Sequence, residues 1–141
     1  MERWSVLIRR PHCGGPQAMQ RPDHICLLLV EDDVLVRTTL AMMLEDDGFF
    51  VVEAATAGEA QRLIRDGLNV SVLVTDVDLG AGPSGPELAD WLHSQRSDFS
   101  IIFITGRTAS LAGRQLARRE AVLPKPFEGS ALSDLVRKMI P

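Results

Sequence analysis

A regular alternation of short apolar runs with amphipathic stretches most constrains the fold of this 141-residue chain. The first run, residues 25–30, is apolar throughout, as in a parallel strand that is buried on both faces. Similar runs recur at residues 49–52, 70–75, 101–104 and 121–123. A helix-like stretch follows each run. Such long crossovers predict a parallel sheet with helices on both faces.

Sequence signals also mark the predicted helices. Asp33 is placed to cap the first helix, and residues 56–59 and 84–87 have the capping-box pattern for the second and third. A fourth helix is predicted around Leu111 and Leu116 from a weaker apolar pattern. The last helix has apolar residues at i, i+3, i+4 and i+7, namely Leu132, Leu135, Val136 and Met139.

Composition narrows the class of protein. Apolar residues make up 45% and charged residues 24%, and 15 basic against 19 acidic residues give a net charge of −4. Nucleic-acid binding needs clustered positive charge, so we expect no nucleic-acid partner. The longest apolar run is far below the roughly 20 residues of a membrane span. Two cysteines are too few for a disulfide framework and are expected as reduced thiols. We expect a cytoplasmic protein without membrane contact.

The chain divides into two parts of unequal length. Residues 1–23 lack sustained periodicity, and we expect a disordered or poorly ordered N-terminal extension there. Met19 is an alternative to Met1 as the true start. Residues 24–141 are predicted to form one domain, which also agrees with the length.

Polar side chains follow the strands at the edge where parallel sheets bind ligands. Glu31 and Asp32 follow the first strand, and Asp76, Thr105 and Lys125 follow the third, fourth and fifth. Carboxylates about 4 Å apart repel by roughly 4 kcal/mol at intermediate dielectric, so a proton or cation must lie between them. Mg²⁺ prefers such oxygen ligands. The set suits phosphoryl transfer, with Asp76 as the candidate nucleophile.

Four short motifs at these strand ends resemble the receiver domain of two-component response regulators. They are Leu-Val-Glu-Asp-Asp at residues 29–33, Val-Thr-Asp at 74–76, Ile-Thr-Gly at 104–106 and Pro-Lys-Pro-Phe at 124–127. Their order and placement make the resemblance specific, and it covers residues 24–140. It implies an α/β fold of flavodoxin-like (βα)5 topology, with a five-stranded parallel sheet in the order 2-1-3-4-5.

The resemblance also implies the metal site. Asp76 matches the phosphoacceptor of the family. Glu31 and Asp32 match its acidic pair, which with Asp76 and the backbone carbonyl of Asp78 would hold Mg²⁺.

Two further positions match the family at neighbouring strand ends. Thr105 matches the hydroxyl that turns toward the phosphoryl group, and Lys125 matches the invariant ammonium group. The Lys125–Pro126 bond matches a cis peptide of the family, and cis bonds are almost confined to X-Pro.

The sequence departs from the family pattern in three places. Val122 stands where an aromatic switch residue is common, and the stretch from residue 76 to 85 is one residue longer than usual. Asp78 and Arg107 occupy positions that modulate the lifetime of the phosphoryl group. We hypothesise that they form an ion pair that shields the acyl phosphate from water.

The resemblance implies a signalling domain whose own chemistry is limited to its phosphorylation and dephosphorylation. The donor would be a phosphohistidine of a sensor histidine kinase or of a histidine phosphotransfer protein. Because the chain ends at Pro141 after the last helix, a stand-alone receiver is expected. Its output would be contact with, or phosphotransfer to, an unknown downstream protein. A homodimer through the fourth helix, fifth strand and last helix stays open.

Two enzyme classes compete with this interpretation. Residues 80–85 match G-x-G-x-x-G after a strand and before a helix, as in a dinucleotide-binding protein. Asp76 and Asp78 resemble the D-x-D motif of haloacid-dehalogenase-like phosphatases. The acids near the glycines would repel a pyrophosphate, and the order of the acidic motifs does not suit the phosphatase.

Overall fold

The apolar runs form a five-stranded parallel sheet in the computed structural model, which describes residues 25–140 except the side chains of residues 108, 109 and 129. The predicted extension, residues 1–23, lies outside the described residues. The strands are β1 (Cys26–Val30), β2 (Phe50–Ala54), β3 (Val72–Asp76), β4 (Ser100–Thr105) and β5 (Glu120–Pro124). Their order is β2-β1-β3-β4-β5, as predicted.

Four α-helices within residues 25–140 cover both faces of the sheet: α1 (Val34–Asp46), α2 (Ala57–Arg65), α3 (Gly85–Gln95) and α4 (Gly129–Met139). Helices α1 and α4 bury Leu44 and Val136 on the face of Leu29. Helices α2 and α3 bury their apolar side chains on the other face. All five residues of β1 are buried because it is covered from both sides. Helices on both faces were predicted, and the structure confirms them.

The first three helices begin at the predicted caps. Asp33 Oδ1 accepts a hydrogen bond of 3.0 Å from the N–H of Val36, and Thr56 caps α2 in the same way. Ser84 and Glu87 form the reciprocal bonds of a capping box, at 3.2 and 3.0 Å. These bonds satisfy donors that the first helical turn leaves without backbone partners.

The predicted fourth helix is wrong. The connection between β4 and β5 contains a 3-10 turn, Thr108–Leu111, and then non-helical backbone up to β5. Gly113 has φ of +85°, a left-handed conformation that ends helical winding. Leu111 and Leu116 are five residues apart, which is not helical spacing.

Arg114 anchors this irregular connection. Its guanidinium lies 5.2 Å from the ring centroid of Phe103, and its Nη2 donates to Glu120 at 2.8 Å and to Asp90 at 3.0 Å. His93 Nε2 lies 2.9 Å from the same Glu120 carboxylate. Burial alone would raise the pKa of Glu120, but the bonds from Arg114, the backbone of Ala117 and His93 outweigh it and lower that pKa.

Two expectations from composition concern membrane spans and cysteines. Within residues 25–140, no helix combines the length and apolarity that crossing a bilayer requires. The expectation of reduced thiols falls on Cys13 and Cys26, and Cys13 lies outside the described residues.

Candidate functional site

Three carboxylates converge at the carboxyl edge of the sheet. Because Val30 and Thr75 are paired in parallel register, Glu31 and Asp32 leave β1 beside Asp76 at the end of β3. Oxygen atoms from the three side chains all lie within 4.8 Å of one another. This donor set fits a small, hard divalent cation such as Mg²⁺, which takes carboxylate oxygens and completes its shell with water.

Lys125 supplies a positive charge beside this cluster. Its Nζ lies 3.4 Å from Asp76 Oδ2 and 3.5 Å from Glu31 Oε1. The Lys125–Pro126 bond is cis, as the resemblance implied, and the N–H of Lys125 donates to the carbonyl of Thr105 at 2.8 Å. Burial would lower the pKa of Lys125, but the charges of Asp76 and Glu31 outweigh it and raise that pKa. The amine is therefore charged throughout the physiological range.

Glu31 is the most buried acid of the cluster. Its side chain is almost fully buried, and burial raises its pKa to about 7. A hydrogen bond of 3.1 Å from the N–H of Asp33 opposes the rise, whereas Asp32 and Asp76 add to it. Without a cation, the cluster therefore holds a proton near neutral pH.

The glycine-rich loop that suggested a dinucleotide site packs against these acids instead. Gly80 has φ of +70°, and a β-carbon there would lie 3.4 Å from Asp32 Oδ2. At Gly85, a β-carbon would lie 2.2 Å from the carbonyl oxygen of Asp76. The N–H of Gly85 donates to Val77 at 2.9 Å. The glycines thus let α3 begin directly against the end of β3.

Thr105 is buried at the end of β4, but its hydroxyl is engaged in its own loop. The Oγ1 atom donates to the carbonyl of Arg107 at 2.8 Å and accepts from the N–H of Arg107 at 2.9 Å. Val122, at the position where an aromatic switch is common, is half-buried beside Phe103, its neighbour in β4. A small aliphatic side chain packed in this way offers no ring to swing.

The predicted pair of Asp78 and Arg107 is not formed. Both side chains are exposed, and the ion pairs found within residues 25–140 do not include one between these two side chains. The N–H of Asp78 donates to Asp76 Oδ1 at 3.3 Å. The backbone of Asp78 therefore lies beside Asp76, while its carboxylate faces solvent.

Arg37, on α1, is a site residue that sequence reasoning missed. Its Nη1 donates to the carbonyl of Glu31 at 2.8 Å, and its Nε lies 3.4 Å from Glu53 Oε1 in β2. The sequence feature that could have revealed it is its position one helical turn after Asp33, on a helix that begins at the sheet edge carrying the acids.

The chain was also compared with known proteins. Residues 27–137 match the family model of the response regulator receiver domain. The sensor kinase CckA of Brucella abortus is 32% identical over 117 residues, which are 81% of this chain and 12% of CckA. The aerobic respiration control protein ArcA of Escherichia coli K12 is 29% identical over 125 residues, 86% of this chain and 50% of ArcA. The chain thus spans half or less of these two relatives.

Solved structures show the same fold. The response regulator TrrA of Thermotoga maritima, in complex with Mg²⁺ and BeF, matches with a TM-score of 0.74 and 23% identity. The match covers 82% of this chain and 99% of that chain. Together with the family match over residues 27–137 and the strand order β2-β1-β3-β4-β5, this identifies the chain as a member of the response regulator receiver domain family, of flavodoxin-like fold.

Proposed function

We propose that Asp76 accepts a phosphoryl group from the phosphohistidine of a sensor histidine kinase or a histidine phosphotransfer protein. The observation that carries this proposal is the position of the Asp76 carboxylate, which lies among Glu31 and Asp32 and 3.4 Å from Lys125 Nζ. Receiver domains interact with donors of this kind. Lys125 would attract an incoming anionic phosphoryl group, and a divalent cation held by the acids would offset the repulsion from Glu31 and Asp32.

In the transfer step, an Asp76 oxygen forms a bond to phosphorus while the bond from phosphorus to the histidine nitrogen breaks. The leaving imidazole keeps the electron pair and is neutralised by a proton. Lys125 is placed to pair with a phosphoryl oxygen, since its Nζ already faces Asp76 Oδ2. Thr105 would donate its hydroxyl to the phosphorylated product. Positioning and electrostatics provide most of the catalysis in such transfers.

Mg²⁺ would be held by Glu31, Asp32, Asp76 and the backbone carbonyl of Asp78. When bound, it supplies positive charge that offsets the charge developing on the phosphoryl oxygens. The high pKa of Glu31 supports this proposal, because a cluster that retains a proton without metal lacks a balancing cation. The crystal structure of TrrA in complex with Mg²⁺ and BeF supports this proposal, because TrrA has the same fold.

Asp78 and Arg107 are proposed to modulate the lifetime of the phosphoryl group. Because both are exposed at the edge of the site, each can act on the approach of water as a separate side chain. The rate of phosphate loss from phosphorylated Arg107→Ala protein tests this role. An unchanged rate would remove Arg107 from the mechanism.

The output is proposed to be contact with, or phosphotransfer to, a downstream protein in the cytoplasm, with no enzyme activity beyond the chain's own phosphorylation and dephosphorylation. A homodimer is proposed through β5, α4 and the irregular connection that replaces the expected fourth helix. No observation favours the alternatives. The glycines of residues 80–85 pack against the acids, and the Asp78 carboxylate faces solvent.

The experiment is phosphorylation of the full chain by acetyl phosphate, with and without Mg²⁺, followed by peptide mapping. We expect a phosphoryl group on Asp76 that requires Mg²⁺ and is absent from Asp76→Asn. The exposed Asp46→Asn variant, at the end of α1, serves as the matched control and should react normally. Modification of Asp76→Asn at the wild-type rate would contradict the proposal.

A further inference from the structure

Arg37 lies in the first turns of α1 and reaches back to two strand ends. Its side chain is 16% exposed and that of Glu53 is 11% exposed, so both charges are largely removed from water. Nη1 donates to the carbonyl oxygen of Glu31 at 2.8 Å, while Nε lies 3.4 Å from Glu53 Oε1. One guanidinium therefore ties the end of β1 to β2.

The carbonyl that Arg37 holds belongs to the residue that also carries the buried carboxylate. The main chain of residues 31–33 turns at this point from strand to helix, and Glu31 Oε2 accepts from the N–H of Asp33. Carboxylates that crowd within 4.8 Å repel one another and push the turn apart. A bond from Arg37 to the main chain opposes that displacement without occupying a carboxylate oxygen.

The geometry uses two different nitrogens of the guanidinium at once. A planar guanidinium presents several donors in a fixed arrangement, whereas a lysine offers one charged nitrogen on a flexible stem. Lysine at position 37 would keep the charge, but its single nitrogen lacks the fixed spacing of Nη1 and Nε that sets the positions of the Glu31 carbonyl and Glu53 relative to each other.

We propose that Arg37 is a positioning residue for the divalent-metal site, which fixes the main chain from which Glu31 and Asp32 extend. This inference rests on the proposed function, because it assumes that Glu31 and Asp32 hold Mg²⁺. Groups that orient metal ligands typically alter metal affinity by about 10- to 100-fold when they are removed.

The test is calorimetric titration of Mg²⁺ alone into the full chain at pH 8, for wild type, Arg37→Lys and Arg37→Met. We expect Mg²⁺ affinity to fall by about tenfold in Arg37→Lys and further in Arg37→Met. Arg62→Lys, an exposed arginine of α2, is the matched control and should bind as wild type does.

Two further measurements separate positioning from simple loss of stability. Urea unfolding without Mg²⁺ shows how much folded protein each variant retains. Phosphorylation by acetyl phosphate should need more Mg²⁺ for half-maximal rate in Arg37→Lys, while the rate at saturating Mg²⁺ returns to that of wild type. If folded Arg37→Lys binds Mg²⁺ with unchanged affinity, Arg37 has no positioning role. If wild type itself binds no Mg²⁺, the proposed function fails as well.

Discussion

Gly85 packs its α-carbon against the carbonyl oxygen of Asp76, so closely that a β-carbon there would lie 2.2 Å from that oxygen. Real β-carbons do not approach a carbonyl oxygen to that distance, so any other residue must displace either α3 or the end of β3. The position of the candidate phosphoacceptor thus depends on a residue that has no side chain.

Gly85→Ala should therefore lower the free energy of unfolding by about 2 kcal/mol or more, as overpacking does in tightly packed sites. It should also slow phosphorylation by acetyl phosphate, because Asp76 moves relative to Lys125. Gly58→Ala in α2 is the control. Its β-carbon would lie 3.9 Å from Thr56 Oγ1, an ordinary contact, and should stabilise the protein by up to about 1 kcal/mol. Urea denaturation measures both changes, and equal effects would contradict the steric account.

The exposed apolar side chains of α1 predict where a protein donor docks. Leu35 is 76% exposed and Met42 is 59% exposed, and their spacing of seven residues places them on one face of the helix that begins beside the acids. The double variant Leu35→Ser, Met42→Ser should slow transfer from a phosphorylated histidine protein by about tenfold, equivalent to roughly 1.4 kcal/mol.

Acetyl phosphate separates docking from chemistry, because this small donor needs no helix surface. The same double variant should react with acetyl phosphate at the wild-type rate. Leu116→Ser, in the connection between β4 and β5, is the control for loss of an exposed leucine. A parallel loss of rate with both donors would assign Leu35 and Met42 to the structure of the site instead.

Glu31 predicts a pH dependence of the metal-free protein. Its pKa is raised from 4.5 to about 7 in the folded chain, so the folded state binds more protons than the unfolded state between these values. The free energy of unfolding should therefore decrease as pH rises across this interval, and Glu31→Gln should remove part of that slope. Mg²⁺ competes with the same proton, so its affinity should increase over the same interval. Calorimetry between pH 5 and pH 8, about the interval in which Glu31 titrates, measures this increase.

The Arg114 network predicts a stability effect far from the acids. Arg114→Ala leaves the buried Glu120 carboxylate without its guanidinium, and breaking such a buried pair typically costs about 3 kcal/mol. Asp90 is the other carboxylate partner of Arg114, and the side chain of Asp90 is 67% exposed. Asp90→Ala should therefore cost less than about 1 kcal/mol. Thermal or urea unfolding near neutral pH gives both values, and equal losses would contradict a special role for Glu120.

Glu120 should also contribute to acid unfolding, with a sign opposite to that of Glu31. Its pKa is lowered in the folded state, so its contribution to stability is complete above its ordinary value of 4.5 and disappears as pH falls through the folded value. Arg114→Ala should therefore make the free energy of unfolding depend less on pH in the acidic range. An unchanged pH dependence would show that other carboxylates control acid unfolding.

The sheet was predictable from sequence because each strand is a short apolar run and parallel strands must be buried on both faces. The convergence of Glu31, Asp32 and Asp76 was also predictable, because the carboxyl ends of parallel strands meet at the same edge of the sheet. The connection after β4 was not predictable, because Leu111 and Leu116 suggested a helix while Gly113 adopts a left-handed conformation that sequence alone does not report. Arg37 was missed because one partner is a backbone carbonyl, which no side-chain pattern reveals, and the other, Glu53, lies in another strand.

The two hydrogen bonds between the Thr105 hydroxyl and the backbone of Arg107 make this side chain part of the loop that follows it. If the hydroxyl rotates away, a peptide N–H and a carbonyl lose their partner together and must turn to water or to new neighbours. We therefore expect rotation of this one torsion to change the shape of the loop at the surface of the domain, where another molecule can sense it.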